Sequence, residues 1–210
     1  MCAQFASWQY TAAVVEDRSS TLEFSRALPK TQVAVEYARR LHEGQRRQVD
    51  GQPFILHPLE VGALLYQAGA PDDVIAAGLL HDTLEKADAA ESELAHVFGA
   101  HVTGLVLAVT ENDQIKGYAH RKAALRDQVA HAGDEALMLF AADKVSKARE
   151  LSLGAGVGKT VRRRRVTHYR RCLALLQERL PDFPLVGMLA RELDLLSDRG
   201  IGEHATAPCG

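Results

Sequence analysis

Three apolar segments of the chain each end in a side chain that can bind a divalent metal. His57 closes the first segment, the pair His81-Asp82 closes the second and Asp143 closes the third. Imidazole and carboxylate groups at the edge of an apolar core cost free energy unless a partner satisfies them. One divalent ion would satisfy all four side chains at once. The pattern therefore predicts a metal site assembled from three separate segments.

The chemistry of this ligand set indicates which metals suit it. Two nitrogen ligands, two oxygen ligands and no thiolate argue against a structural zinc site, and Mn²⁺, Fe²⁺ and Mg²⁺ are the candidates. Four protein ligands on an octahedral ion leave positions for water and a substrate oxygen, as in a catalytic site. The alternative is that each histidine is an ordinary core or capping residue, the commoner role of a lone histidine. The joint order His, His-Asp, Asp favours the metal.

The overall composition is that of an ordinary globular protein. The 210 residues are 47% hydrophobic and 25% charged, which suits one domain with a sizeable core. The net charge of −2 gives no reason to expect a nucleic-acid partner, and we expect no membrane partner because no apolar run predicts a membrane span. Three scattered cysteines suit neither a disulfide framework nor a zinc cluster, so we expect a cytoplasmic protein. The oligomeric state stays open.

The periodicity of the sequence predicts helices throughout. Apolar residues recur at helical spacing, and no segment alternates with period two for long enough to predict a strand. The predicted fold class is all-α, a bundle of eight to nine helices. Thr31 is the predicted cap of the first helix, and glycines or prolines separate most of the others. The predicted helices cover about 31–41, 57–67, 71–82, 91–98, 100–110, 118–131, 134–150, 161–180 and 185–197.

The predicted domain runs from residue 30 to residue 197. Residues 1–29 are weakly patterned and form an N-terminal extension that either docks on the domain or is a mobile arm. Residues 198–210 are predicted to form a disordered tail.

Four sequence segments resemble a known family. They are residues 42–47 (HEGQRR), 51–58 (GQPFILHP), 79–85 (LLHDTLE) and 142–144 (ADK). The order His, His-Asp, Asp is the signature of the HD superfamily of metal-dependent phosphohydrolases. The segments are similar to the hydrolase domain of the RelA/SpoT class, and in particular to its small stand-alone (p)ppGpp hydrolases.

This resemblance implies a fold, a reaction and a set of site residues. It implies an HD-domain helical bundle and removal of the 3′-pyrophosphate from ppGpp or pppGpp, with a divalent metal, expected to be Mn²⁺, as the cofactor. It implies that Glu85 orients or deprotonates the attacking water. The metal ligands that it implies are His57, His81, Asp82 and Asp143.

Four cationic side chains are expected to bind the nucleotide substrate. Arg47 matches an arginine that contacts the nucleotide, and a guanidinium suits stacking or bidentate contacts. Lys144 and Arg149 match positions that could neutralise phosphate charge, although a lysine beside a buried aspartate often only forms an ion pair. Lys147 is the fourth, and it stands where the family has an asparagine.

The chain departs from the family pattern around the substrate. Lys86 stands where an aspartate normally follows Glu85, so the acidic pair that activates water becomes an acid beside a cation. We include Lys86 among the catalytic positions, where it could bind an extra phosphate. Gln48 replaces a basic residue, and Phe54 replaces a tyrosine.

These departures keep two alternatives open. The first is an HD phosphohydrolase with a different nucleotide or phosphate-ester substrate. The second is a non-catalytic sensor that binds metal and nucleotide.

Two further motifs are weaker signals. Residues 154–160 (GAGVGKT) resemble a phosphate-binding loop, but only three residues separate Gly154 from Gly158 and a helix precedes them, so a mobile loop is predicted, one that could close over the site as a lid. Residues 162–165 are four consecutive arginines. Consecutive helical residues point in different directions, so the run is typical of a solvated helix start, with an anionic ligand or RNA as the alternative partner.

Overall fold

A computed structural model describes residues 28–87, 89–153 and 157–201, and the side chains of these residues up to Ser197. Nine helices form in these ranges, which contain no strand and only an isolated antiparallel bridge between Arg46 and Pro53. The all-α class is confirmed. The helices are α1 (Pro29–Leu41), α2 (Leu56–Gln67), α3 (Asp72–Leu80), α4 (Thr83–Lys86), α5 (Glu91–Val109), α6 (Tyr118–Ala132), α7 (Asp134–Leu153), α8 (Lys159–Arg179) and α9 (Pro184–Ile201).

Parts of three predicted segments lie outside the described residues. They are most of the N-terminal extension (1–29), most of the tail (198–210) and residues 154–156 of the glycine-rich loop. Helix α9 ends at Ile201 rather than at residue 197, and α8 already begins at Lys159.

Two helices form the centre of the bundle. Helix α7 packs against α2, α3, α5, α6, α8 and α9, and nearly every residue in its middle is buried. Helix α3 packs against α1, α2, α5 and α7, and all residues of the segment 74–80 are buried. A helix that is apolar on all sides belongs in a core. The segments that carry His81-Asp82 and Asp143 are therefore held by packing on every side.

The first helix is capped from another helix and not by its own Thr31. The chain already enters the helix at Pro29, so Thr31 lies inside the first turn and the predicted cap is wrong. Asp72, the first residue of α3, accepts hydrogen bonds from the backbone amides of Lys30 (3.1 Å) and Thr31 (2.9 Å). It also accepts one from the Thr31 hydroxyl at 2.6 Å. A carboxylate from α3 thus satisfies amides that α1 leaves unpaired.

Helix α5 joins the two predicted helices 91–98 and 100–110 across a kink. Gly99 has φ 85° and ψ 165°, a conformation that glycine adopts readily and other residues rarely adopt. By length and composition alone α5 could cross a membrane, whereas the sequence analysis predicted no such run. Core helices of globular proteins meet the same criterion, and α5 packs against α3, α6 and α7. The buried side of α5, which includes Leu94, Phe98 and Val106, belongs to the core.

The close approach of α2 and α3 depends on a glycine. A Cβ atom added at Gly78 would lie 2.5 Å from Cδ1 of Leu65 and 3.3 Å from Cγ1 of Val61. We expect Gly78→Ala to lower the free energy of unfolding by about 1–3 kcal/mol because the fully buried core must shift. Urea denaturation measures the change.

Gly104→Ala is the matched control, because a Cβ atom at this helical glycine meets nothing within 4 Å. We expect it to leave stability unchanged or to raise it by up to about 1 kcal/mol. Equal effects of the two substitutions would contradict the tight packing inferred at Gly78.

Candidate metal centre

The four predicted ligands converge on one buried point from three helices. His57 lies in the first turn of α2, His81 and Asp82 directly follow α3, and Asp143 lies halfway along α7. None of them is more than 4% exposed. Because α2, α3 and α7 pack against one another, the ligands meet although they are far apart in sequence.

The spacing of the ligand atoms fits one shared ion. Nε2 of His57 lies 3.1 Å from Nε2 of His81 and 3.3 Å from Oδ1 of Asp143. Oδ2 of Asp82 lies 3.4 Å from Nε2 of His81 and 3.6 Å from Nε2 of His57. Bonds of about 2.1 Å to a common ion place neighbouring ligand atoms about 3.0 to 3.4 Å apart. His57, His81 and Asp143 therefore form a compact group that could hold a metal ion, whereas Asp82 lies beside the two imidazoles but outside that group.

Hydrogen bonds behind His57 determine which of its nitrogens faces the centre. Its Nδ1 lies 2.9 Å from Oγ of Ser146, and that hydroxyl donates its hydrogen to Oε2 of Glu60 at 2.7 Å. Since the hydroxyl hydrogen goes to Glu60, Nδ1 of His57 must donate to the Ser146 oxygen. The lone pair on Nε2 is then directed at the centre, as a metal ligand requires.

His81 is oriented in the same way by its own helix. Its Nδ1 donates to the backbone carbonyl of Gly78 at 2.8 Å, which leaves a lone pair on Nε2. Two nitrogen lone pairs that face each other at 3.1 Å repel unless a cation lies between them. Oδ1 of Asp143 is also buried and lies 3.3 Å and 3.5 Å from the two Nε2 atoms, with Nζ of Lys147 at 2.8 Å. The residues present therefore fit a divalent cation.

When no metal is bound, the centre must hold a proton. Burial lowers the pKa of His81, but the charge on Asp82 and hydrogen bonds to Asp143 and Asp82 raise that pKa to about 10. Burial raises the pKa of Asp82, but the charges on His81 and Lys147 hold it well below its usual range. A metal ion that binds here displaces at least one proton from the imidazole pair.

Two lysines pair with Asp143. Nζ of Lys144 lies 2.5 Å from Oδ2 of Asp143 and 4.4 Å from the centre of the Phe140 ring, and Nζ of Lys147 lies 2.8 Å from Oδ1. Burial raises the pKa of Asp143, but the two lysine charges lower it well below its usual range. Lys144 is buried in this ion pair, whereas the Lys147 side chain is 34% exposed. Lys147 is thus the freer of the two to meet a ligand.

A cavity of about 540 Å³ borders the candidate metal centre. His57 and Asp82 line it, together with the predicted site residues Arg47, Glu85, Lys86, Lys144 and Lys147. The sequence analysis did not predict several other lining residues as site residues, among them Glu111, Lys122, Glu150, Arg165 and Tyr169. The residues predicted from the sequence thus make up only part of the cavity lining.

The predicted catalytic pair lies on the short helix α4, directly after Asp82. Glu85 and Lys86 are both exposed, and the Glu85 carboxylate accepts a hydrogen bond from the backbone amide of Glu111. The carbonyl of Lys86 accepts a hydrogen bond from Nε2 of Gln45 at 2.8 Å. Both residues therefore line the cavity, and hydrogen bonds to Glu111 and Gln45 hold them in place.

Two of the predicted substrate-binding arginines are engaged elsewhere. Arg47 lines the cavity but is held by Asp50, at 3.0 Å from Nε, and by Glu150, at 3.2 Å from Nη1. Arg149 does not line the cavity: its guanidinium lies 3.0 Å from Glu60 and 2.9 Å from Glu192. Arg149 was predicted to contact the substrate, but its side chain lies away from the cavity. It binds Glu60, which lies behind His57.

The residues that support His57 from behind were not predicted, although helical spacing from the predicted ligands indicates them. Glu60 follows His57 by three residues on α2, and Ser146 follows Asp143 by three residues on α7. Residues three apart share a face of a helix. Glu150, whose carboxylate lies 3.4 Å from Nδ1 of His57, continues the same face of α7.

The metal centre lies within a region that matches a known family model. The HD domain model matches residues 34–166, more than half of the chain. The chain is 38% identical over 122 residues to the guanosine-3′,5′-bis(diphosphate) 3′-pyrophosphohydrolase MESH1 of Homo sapiens and 36% identical over 121 residues to that of Danio rerio. It is 43% identical over 75 residues to a GTP pyrophosphokinase of Myxococcus xanthus.

The extent of these matches differs between relatives. The human and zebrafish matches cover 57% and 56% of this chain and 68% and 67% of the relatives, whereas the Myxococcus match covers 36% of this chain and 10% of that protein. A solved structure of a metazoan SpoT orthologue, described as hydrolysing ppGpp and playing a role in starvation responses, is 25% identical with a TM-score of 0.70. That match covers 82% of this chain and 97% of the other.

The hydrogen bond from His57 to Ser146 generates a first prediction for this site. We expect Ser146→Ala to weaken Mn²⁺ binding about 10- to 100-fold, because the ring of His57 loses the contact that orients it. Isothermal titration calorimetry measures the affinity, and circular dichroism checks that the helices remain. Ser197→Ala is the control, because that hydroxyl lies on α9 outside the cavity, where it donates to Leu193 at 3.0 Å and accepts from Arg170 at 2.7 Å. If Ser146→Ala binds Mn²⁺ with unchanged affinity, the Ser146 hydroxyl does not orient His57 for metal binding.

The proton held by the metal-free centre generates a second prediction. Because the pKa of His81 is raised to about 10, a proton must leave before the metal binds anywhere below that pH. We expect the apparent Mn²⁺ affinity to rise about tenfold per pH unit between pH 6.5 and 8 for each proton released. Calorimetry in buffers of different ionisation enthalpy counts the protons. An affinity that is flat over this range would show that the imidazoles are already neutral.

Proposed function

We infer the function from one premise: the chain belongs to the HD domain family. We propose that it is a metal-dependent phosphohydrolase that removes the 3′-pyrophosphate from guanosine-3′,5′-bis(diphosphate) and its 5′-triphosphate counterpart. The observation that carries this proposal is a buried centre of two imidazoles and two carboxylates that opens into a cavity lined with cations. The names of the human and zebrafish relatives support the choice of substrate.

The cations of the cavity fit a ligand with several phosphate groups. Those on its lining are Arg46, Arg47, Lys86, Lys122, Lys144, Lys147 and Arg165. Lys122 is paired with Glu111 and Arg47 with Asp50 and Glu150. Lys144 and Lys147 are paired with Asp143, so Arg46, Lys86 and Arg165 carry the charge that is not neutralised by an ion pair within the described residues. The remaining charge suits a nucleotide with two pyrophosphate groups better than it suits a single phosphate.

In this proposal each residue near the metal has a separate role. A divalent ion held by His57, His81, Asp82 and Asp143 would polarise a phosphoryl oxygen and lower the pKa of a bound water. Glu85 receives the proton of the attacking water, and its hydrogen bond from the Glu111 amide fixes its direction. Mn²⁺ is the proposed ion, and Fe²⁺ and Mg²⁺ are the alternatives.

Lys86 is the position at which the chain departs most from the family pattern. It is exposed beside Glu85 and lines the cavity without forming an ion pair to any carboxylate of the described residues. We propose that it contacts a phosphate group of the substrate and that Glu85 alone handles the proton.

The proposal includes the setting of the reaction. The partner is a small-molecule nucleotide, and the scattered cysteines suit the reducing cytoplasm. Lys86 and Lys147 are also the reason to keep a second candidate, an HD phosphohydrolase that acts on another nucleotide or phosphate ester.

Turnover by variants of the cavity tests the assigned roles. We expect Mn²⁺-loaded protein to release pyrophosphate, and not phosphate, from ppGpp. Glu85→Gln should keep Mn²⁺ affinity but lower kcat roughly a hundredfold or more, because the proton acceptor is lost. Asp82→Asn should lose both Mn²⁺ binding and turnover. Quenched-flow assays that follow pyrophosphate and phosphate separately, with calorimetry for Mn²⁺, give both readouts.

Glu91→Gln is the matched control, because Glu91 is exposed at the start of α5 and does not line the cavity. It should change neither readout. Absence of ppGpp cleavage while Mn²⁺ is bound would contradict the substrate assignment, and a panel of other phosphate esters would then separate a different hydrolase from a non-catalytic sensor.

A further inference from the structure

A second cavity, of about 700 Å³, lies between α6 and α8. No carboxylate side chain lines it within the described part of the chain. The cationic residues of its lining are Lys122, Arg126, Lys159, Arg163, Arg164 and Arg171. We call it the α6–α8 groove.

The side chains of the four consecutive arginines at the start of α8 lie in three different places. Arg162 donates to the carbonyl of Leu151 at 3.1 Å, and Arg165 lines the catalytic cavity. Arg163 and Arg164 line the groove, and Arg171 joins them two helical turns further along the same face. The run therefore does not form one stripe, as expected, but half of it contributes to a concave cationic surface.

Part of the positive charge of the groove has no counter-charge among the described residues, although Lys122 is paired with Glu111. Nη1 of Arg126 lies 3.1 Å from Nδ1 of His168, and the Arg164 guanidinium packs over the ring of Tyr118 at 4.2 Å. Burial, followed by the charges of nearby lysines and Arg126, lowers the pKa of His168 to about 2, so its imidazole is neutral. Among the described residues, neither Arg163 nor Arg171 forms an ion pair. Cations gathered without a carboxylate raise the local potential and attract an anion.

Three other arginines of the same protein have carboxylate partners. Arg149 lies against two glutamates, Arg121 contacts Glu111 at 2.9 Å, and Arg170 lies 4.0 Å from Asp194. Arg163 and Arg171 differ from these three in having no carboxylate partner within the described residues.

We propose that the α6–α8 groove is a second anion site that binds a polyphosphate chain. Its volume lies in the range of small-molecule sites, and guanidinium groups match phosphate oxygens in pairs. One end of the groove is formed by Lys159 and Thr160, in the first turn of α8, where helix amides add partial positive charge. A short groove on a chain of net charge −2 favours a compact polyanion over a nucleic acid.

Two sources could supply this polyphosphate, because the groove and the catalytic cavity share part of their lining. Tyr118, Lys122 and His168 line both. The groove binds either the far phosphates of a nucleotide seated at the metal centre or a separate phosphorylated ligand. Binding itself requires no hydrolysis, so the proposal stands or falls independently of the proposed reaction.

The test compares two double variants of the full chain. Inorganic tripolyphosphate is titrated by calorimetry into metal-free and into Mn²⁺-loaded protein at 0.15 M salt. We expect Arg163→Ala with Arg171→Ala to weaken tripolyphosphate binding to metal-free protein roughly a hundredfold. Arg170→Ala with Arg179→Ala is the matched control, because it removes the same charge from the same helix outside the groove.

The outcomes separate the possible explanations. Equal tripolyphosphate binding by the two double variants would overturn the proposal, as would tight binding of single-stranded RNA without binding of tripolyphosphate. A raised KM for the nucleotide at unchanged kcat in the groove variant would identify the far phosphates of the substrate as the occupant. Simultaneous binding of tripolyphosphate and nucleotide to the wild-type chain would identify a separate ligand.

Discussion

The two imidazole nitrogens that approach to 3.1 Å inside the bundle are the constraint on which this structure depends. Each ring is turned inward by a hydrogen bond on its far side, from His57 to Ser146 and from His81 to the Gly78 carbonyl. Neither ring can rotate away without leaving a buried donor unpaired, which costs about 1–3 kcal/mol. The packing of α2, α3 and α7 therefore holds together groups that attract a cation. The burial of apolar side chains, and not the polar centre, supplies the free energy of folding that keeps these groups together.

The charges around this centre are arranged in layers. Asp143 contacts the imidazoles on one side and the ammonium groups of Lys144 and Lys147 on the other. Behind His57, the carboxylate of Glu60 accepts hydrogen bonds from the guanidinium of Arg149 and from the hydroxyl of Ser146. Each ligand thus has a partner that fixes its charge state or its direction. The departures from the family pattern at Lys86 and Lys147 add cations on the substrate side, beyond the metal ligands.

Sequence patterns predicted the elements and the ligands better than they predicted the contacts between elements. Helical periodicity and the order His, His-Asp, Asp depend on residues close together in the chain, and both the all-α fold and the convergence of the ligands followed from them. Contacts between distant segments left no such local signal. Asp72 caps a helix about forty residues earlier, and Arg149 faces Glu192 rather than the cavity, because tertiary packing decides which partner is nearest. Tertiary packing also decides which arginines of residues 162–165 line the groove and which line the catalytic cavity.

The carboxylate of Asp72 gives α3 a role at both of its ends. At its start the helix holds the first turn of α1, and at its end it delivers His81 and Asp82 to the metal centre. Local opening of α1 would remove hydrogen-bond donors from Asp72 and uncover the apolar side of α3. The two helices therefore form one cooperative unit of unfolding, and the slowest-exchanging backbone amides of α1 should exchange with solvent at the rate of those in α3. Metal bound at one end of α3 would then slow hydrogen exchange in a helix that contributes none of its ligands.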